Sequence, residues 1–145
     1  MKAAPRMAVG VAENQNEMSA VRVLIVDDDP LVLSALKRVL RSASAPVHCA
    51  SGAAEAISWV RAGGEPWVII SDQTMPSMSG IELLQWMRSE LPRAFIILHT
   101  GDTQLQVSMA EALVLTLIAK PAEPAALRAL VMGLLRARGL GNDAP

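Results

Sequence analysis

The chain has 145 residues, a formal net charge of −1, 52% apolar residues and 19% charged residues. This length has room for one domain, which would bury on the order of two thirds of its unfolded surface. The near-neutral charge argues against a broad basic surface for nucleic acid or anionic lipid. The longest apolar runs are strand-sized, far below the roughly 18 to 20 residues of a membrane span.

Both ends of the chain have the composition of tails. Residues 1–20 lack sustained apolar periodicity, contain Pro5 and Gly10, and predict a disordered N-terminal tail. Residues 139–145 contain two glycines and a terminal proline, so we expect a C-terminal tail there. One folded domain is therefore predicted over residues 21–138.

Within that domain, short apolar runs alternate five times with amphipathic segments, which is typical of a βα repeat. The runs are almost continuously hydrophobic, as in parallel strands that are buried on both faces. We predict strands at residues 22–26, 47–50, 67–71, 94–98 and 115–119. The sequence thus predicts an α/β fold, a parallel sheet of five strands with helices on both faces.

Five helices are predicted between and after these strands. The first begins at Pro30, whose fixed φ suits the first helical position, and Asp29 precedes it as an N-cap. Ser79 precedes the third helix, and a less sharply bounded fourth helix leads into the last strand. The predicted helical ranges are 30–42, 53–62, 80–91, 103–112 and 123–138.

Four aspartates follow two of the predicted strands. Asp27, Asp28 and Asp29 end the first apolar run, and Asp72 ends the third. Parallel strands bring these acids to one edge of the sheet, where clustered carboxylates repel each other unless a cation lies among them. Hard oxygen ligands favour a divalent cation, and Mg²⁺ is the expected occupant.

Thr100 and Lys120 follow the fourth and fifth predicted strands, so we expect them at the same edge. Carboxylates can hold a cation while one of them attacks, and a hydroxyl with an ammonium can neutralise an incoming anion. Phosphoryl is the anion that fits this set of groups. His99, by contrast, faces away from Thr100 and is interpreted as a structural or surface residue.

Four segments, VLIVDDDP, IISDQTMPSMSGIELL, ILHTGD and IAKP, occur in this order along the chain. Together they resemble the receiver domain of two-component response regulators over residues 21–138. The resemblance implies a flavodoxin-like sheet with strand order 2-1-3-4-5. It also implies a stand-alone signalling domain of the cytoplasm, not an enzyme, that partners a sensor histidine kinase or a histidine phosphotransferase and an unknown downstream protein.

The resemblance also assigns roles to individual residues. Asp72 resembles the phosphoacceptor, and Thr100 and Lys120 resemble the groups that bind the phosphoryl oxygens. Asp28 corresponds to the direct Mg²⁺ ligand, with Asp27 acting largely through bound water. The backbone carbonyl of Thr74 completes the implied metal ligands.

Three further expectations follow from the same comparison. The switch that couples Thr100 to a residue on the fifth strand normally uses an aromatic side chain, but Leu117 occupies that position. The Lys120–Pro121 peptide bond is expected to be cis. Thr74 and Asp102 occupy the positions that tune hydrolysis of the acyl phosphate.

Two other functions fit parts of the pattern. Leu117 and the altered run before the fifth strand are compatible with a degenerate receiver that binds partners without phosphorylation. Asp27 and Asp29 have the spacing of a haloacid dehalogenase-type phosphohydrolase, although only Asp102 is available for that family's later acidic pair.

Overall fold

Parallel strands form a single sheet in the computed structural model, which describes residues 20–41, 45–101 and 116–143 and side chains up to residue 139. The strands are β1 (Val23–Val26), β2 (Val47–Ala50), β3 (Val68–Asp72), β4 (Phe95–Thr100) and β5 (Thr116–Ala119). Their order is β2-β1-β3-β4-β5, and every neighbouring pair is parallel. The predicted fold class and strand order are confirmed.

The helices of the described residues are α1 (Pro30–Arg41), α2 (Ala53–Arg61), α3 (Gly80–Glu90) and α4 (Pro124–Asp143). The helix predicted over residues 103–112 lies outside the described residues, as does the predicted tail up to residue 19. None of the described helices has both the length and the apolar character needed to cross a membrane.

Helix α4 continues to Asp143, so the helix end predicted at Arg138 is wrong. Gly139 and Gly141 favour the start of a tail in the sequence. A glycine inside a helix costs only about 1 kcal/mol relative to alanine. That cost is too small to end a helix that many preceding residues favour.

The sheet is covered on both faces, and each face has its own apolar core. One core includes Leu24, Ile69 and Leu98 and is covered by α2 and α3. The opposite core includes Ile25 and Ile97 and is covered by α1 and α4. Because side chains alternate along a strand, consecutive residues of β1 and β4 belong to different cores.

Side-chain caps begin the two helices that follow β1 and β3. Asp29 Oδ1 accepts a hydrogen bond of 2.9 Å from the Leu31 N–H at the start of α1. Ser79 and Glu82 form a reciprocal capping box at the start of α3. Both predicted caps are confirmed, and they fix how the chain turns at the carboxyl edge of the sheet.

Gly80 brings the first turn of α3 against the end of β3. A Cβ atom at Gly80 would lie 2.0 Å from the carbonyl oxygen of Asp72. The Gly80 N–H also donates a 2.9 Å hydrogen bond to the carbonyl of Gln73. A residue without a side chain therefore sets the separation between this helix and the strand end.

We predict that Gly80→Ala lowers the free energy of unfolding by about 2 kcal/mol or more, because the added methyl group must displace backbone. Urea denaturation measures the change. Gly133→Ala is the matched control, since a Cβ at this exposed position in α4 meets nothing within 4 Å. The control should gain about 1 kcal/mol from helix propensity. Equal stabilities for Gly80→Ala and the native protein would contradict the close approach.

Candidate functional site

Three carboxylates converge where β1 and β3 end. Asp27 directly follows β1, Asp72 is the last residue of β3, and these two strands are neighbours in the sheet. Asp27, Asp28 and Asp72 each offer an oxygen atom, and these oxygens all lie within 4.8 Å of one another. The acids that the sequence places at one sheet edge are thus close enough to share one cation.

Lys120 bridges two of these acids. Its Nζ lies 3.0 Å from Asp27 Oδ2 and 3.1 Å from Asp72 Oδ1. The backbone N–H of Lys120 donates a 2.9 Å hydrogen bond to the carbonyl of Thr100, and the following Lys120–Pro121 bond is cis, as predicted. The ammonium is therefore held beside both carboxylates by the end of β5.

Burial and repulsion control the ionisation of this cluster. Burial raises the pKa of Asp27, and the nearby Asp72 charge raises it further, whereas the Asp29 N–H and Lys120 oppose the shift. Burial alone would lower the pKa of Lys120, but its contacts with Asp27 and Asp72 outweigh that effect and raise it. Lys120 therefore stays protonated near neutral pH.

One oxygen of Asp72 is occupied and the other is available. Asp72 Oδ1 accepts a 2.8 Å hydrogen bond from the Gln73 N–H in addition to its ion pair with Lys120. Oδ2 has no hydrogen-bond donor among the described residues. Asp72 keeps 7% of its surface exposed at the sheet edge, so the side chain is not sealed inside the core.

The carboxylate oxygens of this cluster fit a divalent cation. Asp27 Oδ2 is buried and accepts no hydrogen bond from the described residues, although it pairs with the Lys120 ammonium. Three carboxylates thus face one ammonium, which leaves excess negative charge among hard oxygen donors. Asp28 is exposed and opens the cluster to water. Thr74 lies in the loop after β3, and its carbonyl remains a predicted ligand.

The predicted switch residues lie on the same face of the sheet. Thr100 ends β4 and is 3% exposed, while Leu117 lies on β5 opposite Leu98 in the strand pairing. Leu117 is half-buried and packs against the core covered by α2 and α3. Its role in a switch remains a prediction, and Asp102 lies outside the described residues.

Gln73 is a functional candidate that sequence reasoning missed. Its N–H donates to Asp72 Oδ1, its Oε1 accepts a 2.9 Å hydrogen bond from the Ile81 N–H, and its carbonyl accepts from Gly80. Gln73 therefore ties Asp72 to the first turn of α3. The only sequence signal was an amide side chain adjacent to the strand-end acid, which by itself does not indicate a partner eight residues away.

A comparison with known families decides the class of this chain. The sequence profile of the response regulator receiver domain matches residues 23–132. The chain belongs to the receiver-domain family. Members of this family are signalling domains of two-component systems rather than enzymes, and they bind Mg²⁺ at an acidic pocket, which the aspartate cluster of this receiver resembles.

Sequence relatives include two longer regulators. The receiver is 36% identical over 84 residues to the transcriptional regulatory protein MctR of Rhizobium johnstonii, covering 57% of this chain and 39% of the relative. It is 32% identical over 118 residues to the phosphoglycerate transport system transcriptional regulatory protein PgtA of Salmonella typhimurium, covering 80% and 28%. The chain thus spans well under half of the length of these relatives.

Solved structures agree on the fold. A CheY-like receiver domain protein from Methanospirillum hungatei superposes with a TM-score of 0.78 at 26% identity, covering 85% of this chain and 99% of the other. A chain described as adenylate cyclase from Rhodopirellula baltica gives a TM-score of 0.74 at 30% identity, with coverages of 84% and 92%.

We predict that Asp27→Asn stabilises the protein at pH 7 in the absence of divalent cations. The pKa of Asp27 in the folded protein lies above its ordinary value of 3.8. At a pH between 3.8 and the folded-state pKa, the folded protein therefore binds more protons than the unfolded chain. Native stability therefore falls as the pH rises through that window, and the asparagine variant lacks this loss. We expect a gain at pH 7 that shrinks as the pH falls toward 3.8.

Chemical denaturation in EDTA at a series of pH values measures this difference. Asp29→Asn is the control, since Asp29 is exposed and asparagine can retain its cap; its stability should stay within about 0.5 kcal/mol of the native protein. A loss of stability for Asp27→Asn at pH 7 would show that the buried carboxylate is already fully compensated.

Proposed function

We propose that this receiver accepts a phosphoryl group on Asp72 from a phosphohistidine of a sensor histidine kinase or histidine phosphotransferase. The proposal rests on the contacts of the two carboxylate oxygens of Asp72. Oδ1 is held by Gln73 and Lys120, while Oδ2 has no protein donor among the described residues. A carboxylate held in this way is oriented for attack and keeps a nucleophilic oxygen.

The transfer requires one bond to form and one to break. Asp72 Oδ2 forms a bond to phosphorus, the P–N bond to the donor imidazole breaks, and the imidazole nitrogen keeps the electron pair. Lys120, 3.1 Å from Asp72 Oδ1, can neutralise charge on the phosphoryl oxygens, and the Thr100 hydroxyl can donate to one of them. No residue needs to remove a proton, because the attacking carboxylate is an anion.

The acidic cluster supports a requirement for Mg²⁺. Asp28, Asp72 and the Thr74 carbonyl would hold the ion, and Asp27 would contribute largely through bound water. Bound Mg²⁺ would supply positive charge that offsets the developing negative charge on the phosphoryl oxygens. The excess of carboxylates over ammonium groups at this edge is what favours such an ion.

Phosphorylation would change protein contacts through charge. An acyl phosphate would carry about −1.5 to −2 charges beside Thr100 and Lys120, in place of the single negative charge of the carboxylate. Movement of Thr100 would alter the packing next to Leu117, which lies on the same face. We propose a cytoplasmic protein whose output is a changed affinity for an unidentified protein partner, without direct contact with nucleic acid or membrane.

Acetyl phosphate with Mg²⁺ should add about 80 Da to the intact mass of the protein, the mass of one phosphoryl group. Acetate leaves in place of imidazole, so the test needs no cognate kinase. Asp72→Asn should give no adduct. Asp29→Asn should give the same yield as the native protein, because Asp29 follows Asp28 in the chain but is not one of the three carboxylates that converge. An adduct that persists in Asp72→Asn would contradict the assignment of Asp72 as the phosphoacceptor.

Absence of an adduct on the native protein would favour the degenerate receiver, provided that a partner binds equally with and without beryllofluoride. Turnover of p-nitrophenyl phosphate that Asp27→Asn abolishes would instead favour the phosphohydrolase. The free oxygen of Asp72 supports neither alternative.

Asp28→Asn should weaken Mg²⁺ binding by about tenfold or more, because it removes one of three converging carboxylates. Isothermal titration calorimetry at fixed pH measures the dissociation constant. Asp29→Asn should leave this constant unchanged, since Asp29 is not among the converging acids. Equal weakening by both variants would indicate a general effect of net charge.

A further inference from the structure

A groove opens on the face of the sheet opposite to the proposed switch. Its volume is about 340 Å³, and it lies between α1 and the segment that joins β5 to α4. Val32, Leu36 and Val39 form one wall, while Pro121 and Leu127 contribute to the other. This volume is at the small end of the range for small-molecule sites, roughly 300 to 1,000 Å³.

The apolar lining is interrupted by the imidazole of His99. His99 lines the groove and is only 4% exposed, and neither Nδ1 nor Nε2 has a hydrogen-bond partner among the described residues. A buried polar group without a partner costs free energy that a suitable donor or acceptor would recover. The family comparison and the phosphoryl chemistry assign no role to this side chain.

The surroundings of His99 define what could satisfy it. Burial lowers the pKa of His99, the Lys120 charge lowers it further, and Asp27 opposes both. A neutral imidazole offers one N–H donor and one acceptor nitrogen. A hydroxyl or amide group can meet either nitrogen, whereas a carboxylate can only accept.

We propose that this groove binds a small, uncharged, mainly apolar molecule whose single hydroxyl or amide group hydrogen-bonds to His99. The apolar body of the molecule would lie against Val32, Leu36 and Leu127. Both imidazole nitrogens are covered at present, so binding includes a turn of the ring about its Cβ–Cγ bond, a torsion with a broad energy profile.

Lys120 connects the groove with the acidic cluster. Its side chain lines the groove and also contacts Asp27 and Asp72. A molecule in the groove would therefore touch the stem of the residue that neutralises the phosphoryl site.

Binding can be tested on the full chain by ¹⁵N-labelled NMR titration with 4-ethylphenol and, separately, with ethylbenzene, which has the same apolar body without the hydroxyl. We expect saturable shifts around Val32, Leu36 and Leu127, with 4-ethylphenol bound about tenfold more tightly than ethylbenzene. In His99→Leu the preference for 4-ethylphenol should be lost or reversed, because its hydroxyl then has no hydrogen-bond partner in the groove.

Two tryptophan variants distinguish binding in the groove from binding elsewhere on α1. Ala35→Trp fills the groove from an exposed position in its wall and should abolish binding of both probes. Ser34→Trp, exposed on the same helix but outside the groove, should leave binding unchanged. These variants test the site even if His99→Leu fails to fold.

The proposal would be overturned by any of three results. These are no saturable shift with either probe, equal affinity of both probes for the native protein, or binding that appears only after residues 1–19 are removed. The last result would assign the groove to a segment of this chain. No phosphoryl donor is used, so the outcome is independent of the phosphoacceptor assignment.

Discussion

Repulsion among clustered carboxylates is the constraint that organises the carboxyl edge of this sheet. Neighbouring parallel strands bring Asp27, Asp28 and Asp72 close enough to share one cation. Among the described residues, Lys120 supplies the positive charge beside them. One ammonium cannot offset three carboxylates. Burial raises the pKa of Asp27, and the neighbouring Asp72 charge adds to this effect. The excess of carboxylates over ammonium groups makes this edge fit a divalent cation.

The fold holds these charges through short backbone connections. Gly80 allows α3 to begin against the carbonyl of Asp72, and Gln73 joins the Asp72 carboxylate to the same helical turn. The Ser79 capping box fixes where that turn begins. The position of the Asp72 carboxylate is therefore set by the rigid start of a helix, which limits how far its oxygens can move.

Two consecutive residues of β4 face opposite sides of the sheet because strand side chains alternate. Thr100 lies on the face with Leu117, where the proposed switch would act, whereas His99 lies on the face covered by α1 and α4. Lys120 contacts the acidic cluster and also lines the groove beside His99. A ligand on one face and a phosphoryl group at the edge would thus share one side chain.

Much of this architecture can be read from the sequence because its determinants are local. Apolar runs with βα periodicity predict the strands, and Asp29 and Ser79 predict their helix starts, since each depends on residues within a few positions. The strand-end acids predict the cluster because parallel strands share an edge. The end of α4 was wrongly predicted, as two glycines are a weaker signal than the helix that precedes them. Only the tertiary structure decided the contact from Gln73 to Ile81 and the 2.0 Å approach that excludes a side chain at Gly80. It also decided that the imidazole of His99 has no hydrogen-bond partner among the described residues. Each of these features depends on distances between elements, which sequence patterns do not encode.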